Sequence, residues 1–160
     1  MEGALEHFRE AMELYLLVGD PWGLADCHCG MGRIEQFRGR MEESLKRFEE
    51  AKELYLAVQN LRGQIDCLAG QSSVYAQDPN KMVKAIQVSE EAVNLSPAAG
   101  KYYEGRSRKD LAQLLFQSSR YVPAREEATR ARQLYESCLA TADVKDCDDL
   151  LHKISQAECK

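Results

Sequence analysis

The densest chemistry in the chain is Cys27-His28-Cys29, two thiols flanking an imidazole, a combination that suits soft metal ions and redox exchange. Helical geometry argues against a shared ion, because residues two apart on an α-helix point about 200° apart. Cys27 also returns one repeat later as Cys67, which marks it as a small buried hydrophobe rather than a ligand. Cys147 and Cys159 fall on one predicted helix, about 18 Å apart along its axis and too far to bridge. No zinc spacing and no redox pair is therefore expected. His7, His28 and His152 stand without a serine, cysteine or aspartate at a catalytic spacing. No glycine-rich loop follows a strand to cradle phosphate. The expectation is a chain with no catalytic residue, no metal and no cofactor.

The return of Cys27 belongs to a longer recurrence. Residues 1–30 set over 41–70 give fifteen identities in thirty, among them Leu5/Leu45, Phe8/Phe48, Ala11/Ala51, Tyr15/Tyr55, Gly23/Gly63 and Gly30/Gly70. Self-similarity at a fixed period of this size is the mark of a repeat architecture, in which each unit buries its apolar face only against its neighbours.

The composition permits such a stack: 160 residues, 44% hydrophobic and 29% charged, with four prolines and ten glycines. The net charge of −5 is unevenly placed, and the locally basic stretch 101–132 is too sparse for a nucleic-acid footprint, though it favours an acidic peptide. No run of eighteen apolar residues exists to insert into a membrane. The N-terminus lacks the form of a secretory signal, so reduced thiols and a cytoplasmic location are expected.

Periodicity predicts eight helices and no strand. Leu5, Phe8, Ala11, Met12 and Tyr15 make one apolar stripe in 1–17. Asp20-Pro21 caps a second helix that runs to about Phe37. The third is expected over 41–58, the fourth from Asn60 to Gln77, and the fifth over 79–95, capped by Asp78-Pro79 and stopped by Pro97. The sixth is expected over 99–118, the seventh over 121–141 and the eighth over 143–158. Val144, Cys147, Leu150, Leu151 and Ile154 form the apolar stripe of the last. Trp22, in the first turn between units, is expected to pack a hairpin junction, with an exposed binding hot spot as the alternative.

Residues 25–58 resemble the tetratricopeptide repeat, which carries a small residue eighth in its first helix and two more near the twentieth and twenty-seventh places. Those places hold Gly32, Ser72 and Ala112; then Ser44, Ala85 and Ala124; then Ala51, Ala92 and Ala131. Tyr75 matches the aromatic eleventh position and Phe48 the twenty-fourth, whereas Glu35 and Ala128 depart from the pattern. The resemblance implies an all-α, right-handed α-solenoid of tetratricopeptide-like hairpins, about three and a half units forming a single array over 1–160. Within it, 1–19 is the second helix of a truncated repeat, 25–58, 65–98 and 105–138 are repeats, and 143–158 is a capping helix. The long period of about forty is similar to repeats of polarity and spindle-orientation adaptors and of NLR-type sensor arrays. A start in mid-repeat reads as a block of a larger array.

Such arrays bind extended peptides on the concave face, through the second, fifth, ninth and twelfth residues of each first helix. Here the resemblance points to Asp26, Arg33 and Gln36, to Asp66 and Ser73, and to Arg106, Lys109, Gln113 and Phe116. Of the five residues with which chaperone-binding members clamp a terminal carboxylate, only Arg106 agrees. The implied function is a non-catalytic scaffold that holds a protein or peptide partner, with Arg106 and Lys109 favouring acidic residues. The alternative is self-association through the exposed first helix, or service as the regulatory array of a larger protein. Neither nucleic acid nor membrane insertion is expected.

Overall fold

The computed structural model describes residues 2–159, and eight α-helices with no strand are found among them. They are α1 Glu2–Val18, α2 Pro21–Phe37, α3 Met41–Ala57, α4 Leu61–Tyr75, α5 Met82–Leu95, α6 Lys101–Gln117, α7 Tyr121–Ser137 and α8 Thr141–Glu158. Consecutive helices pack into hairpins within two compact units, Met1–Tyr75 and Ala76–Lys160. The chain is thus all-α and of the helical-hairpin solenoid class, as the repeat predicted. Each unit is described in its own right.

One turn is used five times. A residue in the left-handed region follows the helix: Gly19, Gly39, Gln59, Ser119 or Leu139. The next residue's N–H then reaches back to close the last turn, as in Asp20 to the Tyr15 carbonyl at 2.9 Å and Arg120 to the Leu115 carbonyl at 2.8 Å. The repeat of forty is therefore two helix-turn steps of equal length. Two of the five turns begin with glycine, which adopts this conformation without strain. At Leu139 no glycine announces the stop, so the seventh helix ends at Ser137 rather than 141, and α8 begins at Thr141 rather than 143.

The remaining differences lie around the prolines. The fourth helix stops at Tyr75, short of the expected Gln77. Asp78 and Pro79 open a short 3-10 turn, Pro79–Lys81, and α5 starts only at Met82. Pro97 likewise sits in a 3-10 turn, Ser96–Ala99, after which Gly100, at φ 108°, lets α6 begin at Lys101.

Unit one is held by aromatic rings laid on glycines. Phe48 of α3 is fully buried between α2 and α4. On one side a Cβ at Gly32 would stand 3.2 Å from its ring; on the other, a Cβ at Gly70 would overlap it. Tyr55 lies on Gly63 in the same way, and one repeat earlier Phe8 lies on Gly30 and Tyr15 on Gly23. Burying one such ring stabilises by about 1.5–3 kcal/mol, and the absent side chain opposite is what lets the helices close on it. Ser44, small at the same contact, donates its hydroxyl to the Gly32 carbonyl at 2.7 Å. At Glu35, the departure in this unit, the side chain is buried and its Oε2 lies 3.3 Å from the Arg40 guanidinium without a hydrogen bond.

In unit two the same device is partly inverted. Tyr135 packs on Gly105 of α6. Ala128, the second departure from the repeat, stands where Phe48 stands in unit one, and Leu150 takes the place of Gly70. Both are buried, so the volume has moved from α7 to α8. Cys147 and Ile154 complete the buried stripe of α8, with Val144 and Leu151 half-buried beside them.

Gly70→Ala is expected to destabilise by about 1–3 kcal/mol through overpacking against Phe48, although alanine favours a helix by roughly 0.5–1 kcal/mol. Gly3, with nothing near its Cβ position, is the control, and Gly3→Ala should be neutral or stabilising in the same denaturant titration. Equal effects at the two positions would contradict the interlock.

Candidate functional site

Asp26, Arg33 and Gln36 lie along one face of α2, seven and three residues apart, and Asp66 and Ser73 lie seven apart on α4. The two helices pack together, and the Gln36 amide donates to the Ser73 hydroxyl at 2.8 Å. Asp26 is exposed yet engaged: it accepts the Tyr55 hydroxyl, a ring otherwise buried in the unit's core. Burial, reinforced by Asp26, pushes the Tyr55 pKa well up, so this hydroxyl stays a donor.

Behind this face the structure makes a pairing that the repeat register did not foresee. The thiols of Cys29 and Cys67 share a hydrogen bond inside the core of unit one. That bond, with Arg33 nearby, holds Cys29 below the usual thiol range and drives Cys67 upward. Both are free thiols. Neighbouring first helices meet at an offset two or three residues short of the period, as Gln36 with Ser73 also shows. Matching Cys27 with Cys67 at equal register therefore missed the contact.

In unit two, Arg106, Lys109, Gln113 and Phe116 follow one another along α6. The Arg106 guanidinium lies over the Tyr103 ring, 5.0 Å from its centre. Lys109 is not the solvated cation expected from the sequence. It is only 21% exposed and bonds Asp143 at 3.2 Å and Asp146 at 3.1 Å, both on α8. Burial lowers its pKa, but these two carboxylates more than offset that and leave it raised. Asp110, next in sequence, is raised by burial, with Arg106 and Lys109 opposing. Phe116 is half-buried against Tyr121, ring centres 6.0 Å apart, and Gln113 is exposed.

The two units differ at one position with a clear consequence. Tyr135 occupies the place of Tyr55, but the place of Asp26 is held by Arg106. The Tyr135 hydroxyl accordingly has no hydrogen-bond partner, although the residue is fully buried. Lys109 sits over its ring, 5.6 Å from the centre, and supplies no acceptor.

A further feature belongs to α1. Ala4, Phe8, Ala11 and Tyr15, with Asp26 and Cys27 of α2, line an open cavity of about 410 Å³. Leu14, Leu16, Leu17 and Val18 are exposed at the end of the same helix, and Trp22 is 53% exposed just beyond it rather than packed into a junction. A turn tryptophan packs or projects according to its neighbours, and here it projects.

Among the described residues, no group of three histidine, cysteine or acidic side chains is placed to hold a metal ion. None of the described helices is long and apolar enough to cross a membrane. Comparison with protein-family models and with curated proteins returns no match, so the geometry itself carries the functional reading.

Tyr55→Phe is expected to cost roughly 1–3 kcal/mol, because it removes a charge-assisted bond to Asp26. Tyr135→Phe should cost less than about 0.5 kcal/mol or stabilise, since its hydroxyl is desolvated without a bond in return. Chemical denaturation of both variants checks this; equal losses would show that Tyr135 has an acceptor.

Proposed function

We propose that the chain is a non-catalytic protein-interaction module whose first-helix faces hold an extended segment of another protein. The observation that carries this reading is the α2–α4 face. Two packed helices there present carboxylate, guanidinium and amide groups at one-turn and two-turn spacing. Such a row matches the backbone donors and acceptors of an extended ligand. Asp26, Arg33, Gln36, Asp66 and Ser73 would form the contact face of unit one, and Arg106, Lys109, Gln113 and Phe116 a separate face of unit two. Because Asp143 and Asp146 already neutralise Lys109, a preference for acidic ligand residues would rest mainly on Arg33 and Arg106. The tetratricopeptide likeness supports this reading, and the adaptor and sensor-array resemblance belongs with it as a proposal about the kind of parent protein.

A second reading, assembly through α1, is favoured by the exposed Leu14, Leu16, Leu17 and Val18. It concerns a different surface and does not compete with the first.

A peptide array with acidic, basic and apolar residues varied at each place tests the primary reading by fluorescence polarisation. Enrichment of acidic peptides is expected, with binding weakened about tenfold or more by Arg33→Glu while the thermal melt is retained. An array without enrichment, or a variant that binds as the parent does, would contradict it.

A further inference from the structure

The cavity over α1 has a filled counterpart one repeat later. Its lining residues Ala4, Phe8, Ala11, Tyr15 and Cys27 correspond to Ser44, Phe48, Ala51, Tyr55 and Cys67. In that second setting α2 covers them. Gly32 takes the Phe48 ring and the Ser44 hydroxyl, Asp26 takes the Tyr55 hydroxyl, and Cys29 meets the Cys67 thiol. Even His7 has its counterpart, Arg47, which contacts His28 of α2 at 3.3 Å. The difference is visible in burial: Phe48, Ala51 and Tyr55 are buried, whereas Phe8, Ala11 and Tyr15 are only half-buried.

We infer that the α1 cavity is a docking slot for one α-helix of a partner protein, laid antiparallel to α1. The interface it would extend is the one already present between α2 and α3, so the occupant's chemistry can be read from α2. It carries small residues at i, i+4 and i+7, in the places of Ala25, Cys29 and Gly32, the last lying on the Phe8 ring. It carries a carboxylate at i+1, in the place of Asp26, to accept the Tyr15 hydroxyl. A second copy of this chain fits less well. Its α8 corresponds to α2 but presents the larger His152 where Gly32 is required, and Lys145, Asp148 and Asp149 are exposed. Of the concave-face positions only Asp26 also lines the slot, and Arg33 and Gln36 lie outside it, so this inference goes beyond the concave-face reading and is tested separately through Arg33.

The probe is a labelled peptide with the sequence of residues 20–39, the segment that fills the counterpart slot, titrated into the full chain under reducing conditions. Anisotropy reports binding, and amide hydrogen exchange reports its place. Saturable binding with new protection in α1 is expected. The same peptide carrying Gly32→Leu should bind about tenfold more weakly or worse, despite leucine's better helix propensity, because its side chain meets Phe8. The Arg33→Glu protein should bind the parent peptide unchanged, which separates this slot from the concave face. Absence of saturable binding, equal binding of the two peptides, or protection elsewhere than α1 would overturn the inference. Light scattering that shows the chain associating with itself, with the peptide displaced as it does so, would make a second copy the occupant and overturn it as well.

Discussion

An aromatic ring on a residue with no side chain is the contact on which unit one depends. Phe48 has glycine on both sides, Gly32 of its hairpin partner and Gly70 of the next helix. Two helix surfaces can therefore close on the faces of one ring, and three helices become one core. Glycine within a helix costs roughly 0.5–1 kcal/mol against alanine. The ring burial it permits is worth more. Because each ring is shared between successive helices, no hairpin completes its own core. The first helix shows the result: α1 has its rings on Gly23 and Gly30 and an open cavity on the other side.

The same interlock decides where chemistry is available. Side chains that mesh between helices are buried, and the polar residues of the candidate faces recur along the first helices at one-turn and two-turn spacing. Where register is kept, as at Tyr55 and Asp26, a buried hydroxyl is satisfied by a residue of that face. Where the residue in that register changes, as from Asp26 to Arg106, the Tyr135 hydroxyl is orphaned and the cation turns instead to the Tyr103 ring. Lys109, in the place of Cys29, has exchanged a thiol contact for two carboxylates of α8. The faces of the two units are thus chemically different although they derive from one repeat.

Much of this was legible from residue types and spacing. The helices, their pairing and the small positions follow from a period that repeats its apolar stripe and its glycines together. Helix ends were legible where glycine or proline marks them and illegible at Leu139, whose left-handed turn is imposed by the fold rather than chosen by the residue. The candidate faces were legible as positions but not as states. That Lys109 is ion-paired depends on Asp143 and Asp146 of another helix, thirty-four and thirty-seven residues away. The Cys29–Cys67 contact was hidden for a related reason, since equal register and spatial adjacency differ by two residues.

Unit two already displays the exchange that most directly tests the interlock: Ala128 and Leu150 stand where unit one has Phe48 and Gly70. A double-mutant cycle with Phe48→Ala and Gly70→Leu, measured by denaturant unfolding, asks whether the two positions share one volume. Each single change should be costly, the first through a cavity and the second through overlap. Together they should recover about 1–3 kcal/mol of the summed loss. Additive losses, within about 0.5 kcal/mol, would mean that ring and glycine do not meet and would contradict the account.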